Sequence, residues 1–163
     1  MRTPALPTVA KRLLNSTAAD LMTPHMTTIP AEMSLREAAR LLFCSKISGA
    51  PVADAQGNCL GILSTSDFVH WAGTADVAQD PNVPTSFIAP WGEVINLDAC
   101  DGNEVRRYMT ARFVTVDPDT RIAEIAQRMV NAHIHRVLVA RDGEPCGIVT
   151  STDVMAAVAK AAQ

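Results

Sequence analysis

The chain has 163 residues with a formal net charge of −3, and 48% of them are hydrophobic although only 4% are aromatic. This length allows one compact domain or two small halves that share an aliphatic core. The negative net charge argues against a nucleic-acid-binding surface, because such a surface needs clustered Lys and Arg. Because no basic run, signal-like apolar region or stretch of 18 apolar residues occurs, we expect a cytoplasmic protein that neither spans nor binds a membrane.

The first 19 residues are predicted to form an arm and a helix. Pro4 and Pro7 disfavour regular structure in residues 1–8. From Val9 to Leu21 the sequence fits a helix with apolar residues on one side. We therefore assign residues 1–19 to an N-terminal extension that precedes the first of two similar segments.

Residues 20–70 are predicted to fold in the order β-α-β-β-α. Ser34-x-x-Glu37 is a capping-box pattern that marks a helix start. The apolar stripe after it has helical spacing and comprises Leu35, Ala38, Ala39, Leu42 and Phe43. The other predicted elements are a strand at 28–29, strands at 50–53 and 59–63 around a turn at 54–58, and a helix from Thr65.

Residues 105–163 repeat this order at a nearly constant spacing. Thr28 and Thr115 lie 87 positions apart, and Gly61 and Gly147 lie 86 apart after the loss of one residue. The corresponding predicted elements are a strand at 114–116, a helix from 122, strands at 136–140 and 147–149, and a helix at 153–162. Such a repeat predicts an α/β fold in which two pseudo-symmetric β-α-β-β-α repeats pack against each other.

Residues 71–104 form a long connection between the repeats. Connections of this length are uncommon unless they are functional or disordered. Its apolar content indicates that part of the connection docks on the folded core, and the residues concerned are Phe87, Ile88, Trp91, Val94, Ile95 and Leu97. The sequence alone predicts no role for it.

Matching positions in the two repeats give further local predictions. Cys59 and Cys146 fall in predicted strands, and with no Cys-x-x-Cys motif in the chain we expect them to be free, small, buried side chains. Pro51 occupies the position that Leu138 has in the second repeat. Since proline has no N–H to donate, its strand is predicted to lie at a sheet edge.

Both repeats share two short motifs at equivalent places. A Met-Thr pair precedes the first strand of each, Met22-Thr23 and Met109-Thr110, and each third strand ends in Gly-h-h-[Ser/Thr]-x-x-Asp, where h is apolar. We expect the methionines to pack in the core. Because these motifs recur twice in the same order, the chain resembles the cystathionine-β-synthase (CBS) domain in its tandem arrangement, the CBS pair. The resemblance covers residues 20–70 and 105–160.

The resemblance implies a stand-alone regulatory module rather than an enzyme. Such modules bind adenine nucleotides (AMP, ADP or ATP) in clefts between the repeats and signal to a partner protein. In similar proteins the Asp of the strand-end motif holds the ribose hydroxyls, and the Ser or Thr lies near ribose or phosphate. The residues that match these are Ser64, Asp67, Thr150 and Asp153. The adenine of such ligands often lies near the residues that match Thr23 and Thr110.

The same motifs also fit a protein without a ligand. A carboxylate can accept two hydrogen bonds from a cis-diol, and a helix start attracts phosphate through its free N–H groups. Ser64-x-x-Asp67 and Thr150-x-x-Asp153 are, however, equally typical of a capped helix start, and Thr23 and Thr110 are typical of turns. Both interpretations stay open from the sequence.

The repeats differ in charge at the start of their second strand. His135 and Arg136 stand where the first repeat has Ser48 and Gly49. Arg136 can form a bidentate pair with a phosphate, and His135 can assist when it is protonated. The alternative is that both are solvated surface residues. If ligands bind, the two sites are expected to be unequal.

No other chemistry is predicted. His133-x-His135 is the only close pair of candidate metal ligands, and no nucleophile or phosphate-loop motif occurs, so we expect neither a metal site nor catalytic residues. The resemblance further implies a homodimer, for which the candidate residues are Phe68, Val69, Trp71, Val154, Met155 and Val158. The alternative function is a structural or protein-interaction module with no nucleotide bound.

Overall fold

The structure is a computed structural model that describes residues 13–74, 86–88, 94–96 and 104–161. Its helices are α1 (Ala18–Leu21), α2 (Leu35–Ser45), α3 (Thr65–Thr74), α4 (Ile122–Ala132) and α5 (Ser151–Ala161). Its strands are β1 (Ile29–Pro30), β2 (Gly49–Ala53), β3 (Cys59–Ser64), β4 (Ser86–Ile88), β5 (Val94–Asn96), β6 (Thr115–Val116), β7 (Arg136–Arg141) and β8 (Glu144–Thr150). Both repeats therefore have the predicted order β-α-β-β-α. In this part of the chain no helix combines the length and the apolar character that crossing a membrane requires.

The chain divides into two compact units. The continuous unit comprises Thr27–Arg112 and holds β1, α2, β2, β3 and α3. The discontinuous unit comprises Met1–Met26 together with Phe113–Gln163 and holds α1, β6, α4, β7, β8 and α5. Each unit thus combines the β-α-β-β-α elements of one repeat with the Met-Thr segment that precedes the other repeat.

Each unit contains a three-stranded sheet of the same topology. β2 lies between β1 and β3, parallel to the first and antiparallel to the second, and β7 has the same place between β6 and β8. The strand β1 is short, because only Ile29 and Pro30 pair with β2. A separate antiparallel hairpin of β4 and β5 lies within residues 71–104, where the sequence predicted no regular structure.

Pro51 lies in β2, the central strand of its sheet, so the predicted edge position is wrong. The strand tolerates it because the backbone N–H and C=O of Ile62, its partner in β3, both bond to Thr110 at 3.0 and 2.9 Å. The Pro51–Ile62 pair is therefore a non-hydrogen-bonded pair, in which the missing N–H would point away from β3. In the other sheet Leu138 has the position of Pro51, and its N–H, which also points away from the third strand, donates to the Val114 carbonyl at 3.0 Å.

The hydrophobic core of each unit is built on the predicted helix stripes. In α2 the buried residues are Leu35, Ala38, Ala39 and Leu42, and in α4 they are Ile122, Ile125 and Met129. Phe43, the last residue of the predicted stripe in α2, is an exception because it is 57% exposed, and Val130, which has the equivalent position in α4, is 67% exposed. Met22 and Met109 pack against the cores of their own units, as predicted.

The predicted dimer face is only partly available. Phe68 and Trp71 are buried in the core of the continuous unit, so for these two the prediction is wrong, and Val154 is half-buried against the core of the discontinuous unit. Their side chains lie on the inner face of α3 or α5 at the spacing that faces a sheet. The remaining candidates, Val69, Met155 and Val158, are exposed.

The cysteines within the described residues are free thiols, as predicted. Cys59 and Cys146 lie in β3 and β8 as expected, but they are half-buried rather than buried, and Cys44 is exposed. Burial raises the pKa of the Cys59 thiol, although a bond to the Gly61 carbonyl partly opposes this. Cys59 is therefore mainly a small packing residue and is not activated as a nucleophile.

The helix predicted from Val9 to Leu21 is interrupted, and its residues up to position 12 lie outside the described part of the chain. Residues 13–15 are helical and α1 begins at Ala18. The break occurs because the residues between them bond to the loop before α4. Ala18 donates its N–H to the Thr120 carbonyl at 2.8 Å, and the Ser16 carbonyl accepts from the Ile122 N–H at 2.9 Å.

Side-chain hydrogen bonds fix the predicted start of α2 and the turn after β2. The Ser34 N–H and hydroxyl donate to Glu37 Oε2 at 3.1 and 2.8 Å, which confirms the capping box. Asp54 accepts from Asn58 and from the Gln56 N–H. The Ser34 bonds lower the pKa of Glu37, and the Asn58 side chain is the main cause of the lowered pKa of Asp54. Their contribution to stability is present above the unfolded pKa and is lost as the pH falls through the folded one.

Both α2 and α4 end on a left-handed residue that is not glycine. Lys46 has φ 54° and His133 has φ 52°. A side chain in this conformation is strained, and glycine is not. We expect Lys46→Gly to raise the free energy of unfolding by about 0.5–1 kcal/mol, measured by urea denaturation, whereas Lys46→Ala keeps the strain. Equal stability of the two variants would contradict this account.

Candidate functional site

Each strand-end motif forms a capped helix start. Thr150 ends β8 immediately before α5, and its N–H and hydroxyl donate to Asp153 Oδ2 at 2.7 and 2.6 Å. The Asp153 N–H donates back to Thr150 Oγ1 at 3.3 Å. The capping interpretation of this motif is therefore confirmed, and it uses one of the two oxygens of the Asp153 carboxylate.

In the continuous unit the corresponding carboxylate has a further donor. The Ser64 N–H and hydroxyl donate to Asp67 Oδ2 at 2.6 and 2.7 Å. The Thr110 hydroxyl donates to the other oxygen, Asp67 Oδ1, at 2.9 Å. Thr110 reaches this place because it forms an antiparallel bridge with Ile62 in β3. The structure thus brings the predicted site residues Ser64, Asp67 and Thr110 together.

In the discontinuous unit Thr23 has the equivalent position. It forms an antiparallel bridge with Ile148 in β8, with backbone distances of 2.9 and 3.2 Å. This places Thr23 beside the strand that ends in Thr150. Within the described residues, however, no hydrogen bond joins the Thr23 hydroxyl to Asp153, and no donor reaches Asp153 Oδ1. The two carboxylates therefore differ in their free accepting capacity.

The glycine of each strand-end motif allows these bridges to form. A Cβ atom on Gly61 would lie 2.6 Å from the Thr110 carbonyl oxygen, and one on Gly147 would lie 2.5 Å from Met22 Sδ. Real Cβ atoms essentially never come this close to a neighbour. The sequence identified both glycines as motif residues, but the reason is the approach of the Met-Thr segment, which only the structure reveals.

Arg136 and His135 lie at the start of β7 in the discontinuous unit. Arg136 is half-buried and pairs with Thr150 across the two strands. Residues directly opposite each other on antiparallel strands project to the same face of the sheet, so the guanidinium is on the Thr150 side. In the continuous unit Gly49 is opposite Ser64. A cation therefore accompanies one of the two strand-end motifs at this register position, and a glycine accompanies the other.

His135 contacts the start of α5 through its backbone, and its imidazole is exposed. Its carbonyl accepts a hydrogen bond from the Ser151 N–H at 2.9 Å. Two N–H groups at this helix start already have acceptors, since the Asp153 N–H donates to Thr150 Oγ1 in the same way that Ser151 donates to His135. An anion here would depend on side chains such as Arg136 more than on the helix terminus.

Comparison with known proteins supports the interpretation of the repeats. The model of the CBS domain family matches residues 18–73 and 105–160, which is more than half of the chain. An uncharacterized protein of Methanocaldococcus jannaschii, MJ1426, is 32% identical over 137 residues, covering 76% of this chain and 80% of that protein.

Solved structures are similar in fold. The structure of CBSX2 in complex with AMP has a TM-score of 0.68 and 23% identity, and covers 90% of this chain and 98% of that one. The CBS domain pair of protein MJ0100, in complex with 5′-methylthioadenosine and S-adenosyl-L-methionine, has a TM-score of 0.69 and 20% identity, with 89% and 97% covered. With two matched repeats, each folded as β-α-β-β-α, the chain belongs to the CBS domain family.

Proposed function

We propose that this protein is a regulatory module that binds an adenine nucleotide at the strand-end motif of the discontinuous unit and signals its presence to a partner protein. The observation that carries the proposal is the state of Asp153. One of its carboxylate oxygens caps α5, and the other has no donor among the described residues. A carboxylate oxygen with two unused lone pairs is suited to accept hydrogen bonds from a ribose diol.

The neighbouring residues suit the rest of such a ligand. Arg136, opposite Thr150, places a guanidinium, the group best matched to a phosphate in charge and geometry, on the same face of the sheet as the strand-end motif. His135, which is exposed nearby, adds positive charge when it is protonated. Thr23 lies along β8 and offers a hydroxyl and a carbonyl beside the adenine. AMP, 5′-methylthioadenosine and S-adenosyl-L-methionine, the ligands of the similar structures, all contain adenosine.

The proposed module acts in the cytoplasm as a regulatory homodimer, without catalytic residues. The exposed apolar side chains of Met155 and Val158 on α5 and of Val69 on α3 are the proposed contact residues. Self-association through matching helix faces gives a closed two-fold dimer by default. Binding of the nucleotide would transmit a signal if it favours one arrangement of the module over another.

The second candidate function is a structural or protein-interaction module without a nucleotide. The continuous unit favours it, because Ser64 and Thr110 between them occupy both oxygens of Asp67. On this account the strand-end motifs serve only to start helices.

A thermal-shift series tests the proposal against this alternative. AMP, ADP, ATP and adenosine are compared with CMP, which has the ribose and phosphate but lacks adenine. At a hundred times its dissociation constant, a ligand stabilises the native state by about 2.7 kcal/mol, or roughly 5–10 °C for a chain of this size. We expect that shift with an adenine nucleotide and not with CMP. No shift at millimolar concentrations, or an equal one with CMP, would favour the second candidate.

A further inference from the structure

The two strand-end motifs are not equivalent, and we propose that Thr110 is a specificity-determining residue that closes Asp67 to a ribose diol. This inference rests on the proposed function and adds to it the residue that keeps the ligand from the equivalent motif of the continuous unit. Asp153 in the discontinuous unit then binds the ribose, and Asp67 in the continuous unit is held in an intramolecular hydrogen bond that competes with the ligand.

The hydrogen bonds of the two carboxylates carry the inference. Oδ2 accepts two bonds from the preceding N-cap residue in both motifs, Ser64 for Asp67 and Thr150 for Asp153. Oδ1 of Asp67 accepts a third bond, from Thr110. A carboxylate has about four lone-pair sites. As far as the described residues show, a diol that needs two acceptors has both sites of Oδ1 on Asp153, whereas on Asp67 one of these two sites is already taken.

The position of Thr110 is set by the backbone rather than by the hydroxyl. Its N–H and C=O both bond to Ile62, and Gly61 lets the segment approach the strand. The backbone bridge thus keeps Thr110 beside Asp67 whether or not a ligand is present, and the hydroxyl bond that Thr110 makes there goes to a carboxylate, which is a stronger acceptor than a neutral group. Thr23 has the same backbone pairing with Ile148, but in the described part of the chain neither its hydroxyl nor any other donor bonds to Asp153 Oδ1.

The charge at the matching register position adds to the difference. Gly49 is opposite Ser64, whereas Arg136 is opposite Thr150. A phosphate therefore gains no guanidinium at that position in the continuous unit. The extra bond on Asp67 and the glycine at this register position therefore both disfavour an adenine nucleotide in the continuous unit.

The test first removes the Asp153 carboxylate, so that binding depends on Asp67, and then removes the Thr110 hydroxyl that competes with the ligand. In the Asp153→Asn protein, adenosine binding is measured by calorimetry before and after the additional change Thr110→Val, which keeps a β-branched shape without the hydroxyl. Removal of one charge-assisted bond predicts about tenfold tighter binding of adenosine. The gain should be absent with 3′-deoxyadenosine, which lacks the diol.

Two matched variants complete the design. Thr110→Ser in the same Asp153→Asn protein keeps a hydroxyl and should give no gain. Thr23→Val in the Asp67→Asn protein removes the equivalent hydroxyl, which does not bond to Asp153, and should give no gain either. Melting temperatures of all variants confirm that they are folded.

The outcomes separate the inference from the proposed function. If the wild-type protein binds neither adenosine nor AMP, the proposed function fails and the inference fails with it. If the wild type binds but Thr110→Val brings no gain in the Asp153→Asn protein, whether binding there is weak or undetectable, the inference is overturned and the proposed function stands. A gain that persists with 3′-deoxyadenosine would also overturn it.

Discussion

We expect Asp153→Asn to weaken the binding of AMP by about a hundredfold, as measured by isothermal titration calorimetry. Each hydrogen bond from the ribose to a charged acceptor is worth about 1.5–3 kcal/mol, and about 2.7 kcal/mol corresponds to a hundredfold change in affinity. The amide of the variant has only one acceptor oxygen. If that oxygen takes over the bonds from Thr150 that cap α5, none remains for the diol.

Asp67→Asn is the matched control for this change. It makes the same substitution at the same position of the other motif, so its effect on the start of its helix should be similar, at about 1 kcal/mol. Its effect on AMP affinity should be less than about threefold, because Thr110 already donates a hydrogen bond to Oδ1 of Asp67. Equal losses of affinity in the two variants would contradict the assignment of the ligand to Asp153.

We expect Gly61→Ala to reduce the free energy of unfolding by about 3 kcal/mol, the upper range for overpacking a core. The added Cβ would meet the Thr110 carbonyl oxygen at 2.6 Å. That oxygen accepts the hydrogen bond from the Ile62 N–H and so cannot move without breaking the bridge. Chemical denaturation with urea measures the loss, and a fall in the melting temperature of roughly 6–12 °C should accompany it.

Gly147→Ala tests whether the loss of stability expected for Gly61→Ala comes from the clash with a backbone atom. The three atoms nearest to its Cβ would all belong to the Met22 side chain, with Sδ at 2.5 Å, Cγ at 2.9 Å and Cβ at 3.0 Å. Methionine adapts to altered space at little cost, so we expect a loss of about 1 kcal/mol. A loss at Gly147 as large as that at Gly61 would show that strand geometry, and not the clash with a backbone carbonyl, explains the two glycines.

Local patterns predicted most of the secondary structure. The Ser34–Glu37 capping box, the helical stripe that starts at Leu35 and the β-α-β-β-α order all follow from the spacing of residues close in the chain, and the structure confirms them. The same local reasoning placed Phe43 in the core, where it failed. A stripe defined by spacing alone does not say how wide the contact with the sheet is.

Pairing between distant segments was less predictable. Pro51 was assigned to an edge strand because it lacks an N–H, yet it lies in the central strand at a position where no hydrogen bond to β3 is required. Whether a given N–H faces a neighbour depends on register, and register is set by the partner strand. The β4–β5 hairpin was missed because its strands are only three residues long, too short for an alternating pattern to emerge.

The candidate site, like the fold, was predictable from the sequence only in part. The sequence by itself determined the repeat, the family resemblance and the types of residue at the site, because each is a property of short motifs that occur twice. Only the tertiary structure decided that Thr23 pairs with Ile148 and Thr110 with Ile62, so that each Met-Thr segment serves the strand-end motif of the other repeat. Two segments with the same local motif have the same local preferences. Which strand each segment pairs with therefore depends on packing between residues far apart in the chain. The difference between the hydrogen bonds of Asp67 and Asp153 depends on the same packing.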